Sequence, residues 1–231
     1  MRVPFALSIR ALLRPTDAFA GEAPPLGRAL GSMLAVWLPL ALLNAGLTAW
    51  RGLQTYGALR REGPPPWLAA WLATGLGGDP DDLGQLFAAL PPPPAFGRLW
   101  PWLLLAVPLG LLGAWLHHAV WDHTGLWMLG GLNQKRGFRT SLGAEAEALR
   151  IAALGTLVGL LSFVPGLGGL LGLPLLLLDG YLWIFRGFAL AARHGCEPWR
   201  GVAATVVHAA LLGGCALGLA VMMLALLRTA A

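Results

Sequence analysis

The sequence predicts an all-α, polytopic integral membrane protein with five transmembrane helices, its N-terminus cytosolic and its C-terminus outside. Three observations predict it. The 231-residue chain is 57% hydrophobic and 12% charged, about half the charge of an ordinary soluble domain. Its apolar residues gather in runs long enough to cross a hydrocarbon core of roughly 30 Å. Its basic residues fall between those runs, where they set topology.

The formal charge of +5 would suggest nucleic acid in a soluble protein. Basic residues dispersed in short segments between apolar runs form no stripe that could track a phosphate backbone, so no nucleic-acid partner is expected. Lys135 is the single lysine; the preference for Arg, Ala, Gly and Pro suggests a GC-rich, bacterial genome. Cys196 falls in a predicted cytosolic loop and Cys215 in a span, which suggests neither a disulfide framework nor a metal cluster.

The first stretch, residues 3–13, sets apolar side chains among Arg2, Arg10 and Arg14. It is too short to span and lacks a small-residue cleavage site, so it reads as an interfacial helix within a cytosolic segment over residues 1–28; a disordered tail is the alternative. The five-helix membrane domain covers residues 29–231. Its first span, about 29–50, is interrupted by Pro39 and Asn44. Residues 51–98 form a Pro-rich extracytoplasmic loop with Pro64–Pro66, the acidic group Asp79, Asp81 and Asp82, and Pro91–Pro94. Its apolar piece, 67–76, is too short to cross, which places Trp67 and Trp71 at headgroup level. The proline run reads as a stiff spacer rather than a ligand for a proline-binding module.

The second span, about 99–121, ends in the string HHAVWDH. The third, about 149–164, is short and leans or extends through an amphipathic lead-in at Ala144. A hinge at Pro165 and Gly166 joins it to the fourth, about 168–192, and the fifth runs over about 202–227. With the N-terminus inside, nine basic residues face the cytosol (Arg2, Arg10, Arg14, Arg28, Lys135, Arg136, Arg139, Arg193, Arg200) against five outside (Arg51, Arg60, Arg61, Arg98, Arg228). That bias orients the chain.

The second half carries His117 and His118, Gly130 and Gly131, GFRTSL from Gly137, FVPGLGG from Phe163, YLW at Tyr181–Trp183, RGFALAARHG ending at Gly195 and WRG from Trp199. These strings, in this order, resemble the Yip-one domain family, membrane proteins named for interacting with Ypt/Rab GTPases, in its bacterial branch. The resemblance covers about residues 115–210, with a weaker echo in RPTDAF at Arg14. It implies five spans and a cytosolic N-terminus, in agreement with the charge count. The acidic-aromatic-glycine strings associated with the eukaryotic trafficking members are not visible, so a GTPase partner is not carried over.

Among candidate site residues, Asp179 falls near the middle of the fourth span, where an acid costs on the order of 3 kcal/mol. Arg186 is two turns further, roughly 10 Å along the axis and too far for a direct ion pair. His208 enters the fifth span from the same side, at a depth similar to Arg186. The three could line an intramembrane polar site. Asp179 would then be either a neutral acid bonded to a backbone carbonyl, the favoured reading, or a titrating proton or cation site.

His118 and Asp122, four apart on one face, are weak metal candidates, with Glu145 and Glu147 as completing ligands. The favoured reading makes these residues interfacial caps, with Ser141 as the N-cap of the third span and the two acids at its positive end. Three GxxxG pairs, Gly155/Gly159, Gly168/Gly172 and Gly214/Gly218, suit close helix packing within the chain or a homodimer face.

No phosphate loop, zincin motif or nucleophile setting is visible, so neither an enzyme nor a cofactor is expected. The expected function is a membrane-organising or partner-binding component. Its partners are the bilayer, through anionic lipid at Lys135, Arg136 and Arg139, and a membrane protein or a second copy of the chain. The alternative is a small transporter or permease component with Asp179, Arg186 and His208 lining its route.

Overall fold

A computed structural model describes residues 9, 11–76, 80–132 and 136–230. Arg2, Arg10, Asp79 and Lys135, and most of the proposed interfacial stretch, lie outside the described residues; Ile9 and residues 11–13 are helical. Among the described residues there is no strand. The helices are α1 (Pro15–Ala18), α2 (Leu26–Glu62), α3 (Pro66–Leu76), α4 (Pro80–Ala88), α5 (Trp100–Met128), α6 (Phe138–Gly159), α7 (Leu167–His194) and α8 (Pro198–Ala230). Five of them, α2 and α5–α8 with a 3₁₀ turn extending α6, are long and apolar enough to cross a membrane. The protein is an all-α integral membrane protein.

The helices overrun the apolar runs that reveal them. The 37 residues of α2 reach about 55 Å at 1.5 Å per residue, well beyond a hydrocarbon core. Hydropathy ends near Trp50, but Leu53, Gln54, Ala58, Leu59, Arg60 and Arg61 are helix formers and continue the ladder to Glu62. Residues 51–98 are thus not one loop: they hold the end of α2, then α3, α4 and an extended proline run. In the same way α5 continues past HHAVWDH to Met128, and α6 begins at Phe138.

The chain divides into two compact units, residues 41–108 and residues 1–40 with 109–231. In the first, the Tyr56 hydroxyl donates to the Pro91 carbonyl (2.8 Å) and Arg60 Nε to the Leu90 carbonyl (2.7 Å), pinning the start of the proline run against the end of α2. Proline supplies no N–H, so carbonyl-side bonds are the ones such a run offers.

In the second unit, one core cluster joins Phe19, Leu126, Ala144, Ala148, Ile151, Phe185, Ala189, Leu190 and Ala204, and another joins Ala29, Met33, Leu111, Ala146 and Leu149. The predicted hinge is present: Gly166, at φ 83°, adopts the left-handed conformation that glycine accepts without a Cβ clash and starts α7.

Of the expected glycine pairs, only Gly155 serves a close contact between helices, and the tightest approaches use other glycines. A Cβ at Gly187 would stand 2.6 Å from the carbonyl carbon of Gly201, and one at Gly125 would stand 2.8 Å from the Ala204 carbonyl oxygen. Of the GxxxG residues, Gly155 packs under Leu182 and Gly168 approaches its own preceding turn, whereas Gly159, Gly172, Gly214 and Gly218 have open space around them. Spacing alone does not say which way a helix face points.

Candidate functional site

Five helices of the second unit contribute to a polar cluster inside the span region and a groove beside it. Asp122, on α5, is completely buried. Its Oδ1 accepts from His208 Nδ1 of α8 at 2.6 Å, and its Oδ2 stands 3.4 Å from Arg186 Nη2 of α7. His208 Nε2 is 3.2 Å from Nε2 of His117, itself partly exposed. The guanidinium of Arg186 lies 4.1 Å over the Trp183 ring, whose Nε1 donates to the Thr205 carbonyl at 2.8 Å. Cation–π contact and ion pairing together hold a charge that hydrocarbon would otherwise reject. Glu145, on α6, faces the same cluster and is fully buried. It lies close enough to interact with Asp122, though neither of its oxygens makes a hydrogen bond of normal geometry.

Two of the three residues expected to form the intramembrane site, Arg186 and His208, therefore meet at one carboxylate, and that carboxylate is Asp122. Asp179 is not the buried acid. It is exposed, because no residue of α7 from 167 to 181 is buried and the neighbours cover only the C-terminal half of the helix. It lines a 210 Å³ groove with Trp37, His118, Thr156, Trp183 and Arg186.

The signal for this buried cluster was present in HHAVWDH and in Glu145, and misplaced helix ends concealed it. A second span ending at Trp121 makes Asp122 a cap, whereas α5 runs on to Met128 and carries Asp122 inside. A third helix starting near Ser141 makes Glu145 an N-terminal acid, whereas α6 starts at Phe138, with Gly137 as its N-cap and no side-chain cap bond. Ser141 is instead buried within the first turn of α6, at 2.8 Å from both His123 Nδ1 and His194 Nε2.

The metal reading does not assemble. Among the described residues no three His, Cys, Asp or Glu side chains converge as ligands. Asp122 is engaged by His208 and Arg186, and the His118 ring sits edge-on to Trp183, 5.3 Å between centroids. Of the two completing acids, Glu145 is buried with no hydrogen-bond partner, while Glu147 forms a two-point pair with Arg193 at 2.9 and 2.6 Å.

That pair anchors a second polar region. Arg193 also donates to the Gly21 carbonyl at 2.6 Å, and Arg136 donates to the carbonyl of Arg193. Around them lie cavities of 270 and 670 Å³, the first reached by Arg139 and the second by Arg136. Cys196, in the turn between α7 and α8, is a free thiol; burial, then the neighbouring Glu197 carboxylate, push its pKa up. A thiol held protonated is a poor nucleophile.

No family model matches this chain, and no match was found among curated proteins or solved structures.

Proposed function

We propose that this chain is a non-enzymatic membrane-organising or partner-binding protein of the Yip-one type, in the cytoplasmic membrane of a bacterium, with its N-terminus cytosolic. The observation that carries the reading is how its polar residues are spent. Asp122, Arg186 and His208 join α5, α7 and α8, and Glu147 with Arg193 ties α6 to α7 and to the N-terminal arm. The apolar outer parts of α7 and α8 stay uncovered for lipid or for another membrane helix. Arg136 and Arg139, at the start of α6, supply positive charge for anionic headgroups. Isolation of the full-length protein from gently solubilised membranes is expected to retain a stoichiometric membrane-protein partner or a second copy; a lone monomer across several mild detergents would defeat this reading.

The groove at Asp179 favours a second reading, a small transporter or permease component. An open polar groove shared by an acid, Arg186 and His118 is what a route past the cluster requires. Proton-coupled flux into proteoliposomes that disappears in Asp179→Asn, with insertion unchanged, would select transport over organisation.

A further inference from the structure

One acid in the spans lies apart from the cluster at Asp122 and finds no partner within the chain. Asp179 stands twelve residues along α7 from Leu167, roughly 18 Å, which places it well inside the hydrocarbon. It is exposed, and among the described residues it makes no hydrogen bond or ion pair. Its exposure at this depth is to lipid, which satisfies neither a charge nor a hydrogen-bonding oxygen. Of the charged side chains lining its groove, Arg186 is matched by Asp122 and stacked on Trp183. Asp179 is the unmatched one.

The 210 Å³ groove has room for a long side chain arriving from a neighbouring helix. A Cβ placed on Gly155 of α6 would lie 3.6 Å from Asp179 Oδ1, so the carboxyl overlies a residue without a side chain. Trp37, fixed by its Nε1 donating to the Leu149 carbonyl, and Thr156 line the groove with an aromatic ring and a hydroxyl. Gly172, Leu176 and Asp179 follow one another at i, i+4 and i+7, and all three are exposed. They form an open strip along which a helix can lie. No charged residue falls over 167–178, so the strip leading to Asp179 is otherwise apolar.

We propose that this strip docks a transmembrane helix of a different membrane protein, one that carries a Lys or Arg at mid-depth and places it in the groove against Asp179. A second copy of this chain cannot supply that group. Residues 29–50, 99–121, 151–164, 167–185 and 202–227 contain no Lys or Arg, and Arg186 is buried in its own cluster. Charge complementarity therefore selects a partner of other sequence. The incoming cation gains a charge-assisted bond to the carboxylate and an aromatic neighbour in Trp37, and each ion relieves the other's cost in lipid. The inference rests on the partner-binding reading and names the chemistry of the partner.

Energy transfer between donor-labelled full-length protein and acceptor-labelled synthetic helices in lipid vesicles tests it. The probes are Leu–Ala helices of about 22 residues, long enough to span, with either one Lys or one Leu at the centre. The wild-type protein is expected to bind the Lys probe at least about fivefold more tightly than the Leu probe. Asp179→Leu is expected to erase that preference and Asp179→Glu to keep it. Asp179 is exposed, so both variants are expected to elute as the wild type does. The proposal is overturned if the wild-type protein binds the two probes alike, a result that needs no variant, or if the preference persists in Asp179→Leu. Association between donor- and acceptor-labelled copies of the chain that disappears in Asp179→Leu would make a second copy the occupant and overturn it as well. Because the probes replace the native partner, failure here is distinct from failure to co-isolate a partner, which is what defeats the partner-binding reading itself.

Discussion

The inner and outer halves of the α7–α8 pair lie on the same two helices and are treated in opposite ways. In the inner half, Leu182, Phe185, Arg186, Ala189, Leu190 and His194 of α7 and Ala204, Thr205 and His208 of α8 are buried. Here Gly187 and Gly201 let the two backbones touch. In the outer half, residues 209–223 of α8 are exposed throughout, Leu170, Leu173 and Leu176 of α7 are each at least 66% exposed, and Gly214 and Gly218 face open space. The outer half is the more uniformly apolar of the two, with no charged residue over 167–178 or 209–223, and it is the half left uncovered. What separates them is the presence of glycine at the crossing point and of polar side chains with partners on a third helix. Within lipid, where apolar burial drives little association, such contacts decide which surfaces meet.

This contrast yields four expectations, ordered by size. Gly187→Leu or Gly201→Leu drives a side chain into backbone and is expected to cost at least about 3 kcal/mol, the upper part of the overpacking range, or to prevent folding. Thermal unfolding in detergent, followed by loss of the monodisperse elution peak, measures it; near-wild-type stability would mean that the crossing is looser than described. Asp122→Ala leaves Arg186 and His208 facing an uncompensated gap, with an expected loss of about 3–5 kcal/mol. Asp122→Asn should recover part of that by keeping a bond to His208.

Arg193→Gln breaks the two-point pair with Glu147 and the bond to Gly21, for about 2–3 kcal/mol. It is expected to expose the N-terminal arm to limited proteolysis before the helices unfold. Gly214→Leu, Gly218→Leu and Asp179→Asn, all in the outer half, should each change stability by less than about 0.5 kcal/mol in the isolated chain. Should a glycine variant also abolish partner retention, the outer half is an interface and the comparison acquires a function.

Much of the fold was legible in the sequence. The number of spans, the turn at Pro165 and Gly166, and the common depth of Arg186 and His208 all follow from local properties: run length, hydropathy, a glycine with positive φ, and rise per residue. The site was half legible for the same reason. Depth along a helix can be counted from residue number, so Arg186 and His208 were grouped, and the structure brings both to Asp122. Azimuth and helix ends cannot be counted, so Asp179 was taken for the buried acid while Asp122 and Glu145 were assigned to helix termini.

Length, composition and the order of apolar runs by themselves determine an all-α membrane protein with five spans, because bilayer thickness and backbone hydrogen bonding leave a run of twenty apolar residues few other choices. Which acid is buried, which glycines touch and which basic residues are paired was decided only by tertiary structure. Those outcomes depend on the rotation of each helix about its axis, and that rotation is set by side chains contributed from helices distant in sequence: Asp122 meets His208 across 86 residues, and Arg193 reaches Gly21 across 172.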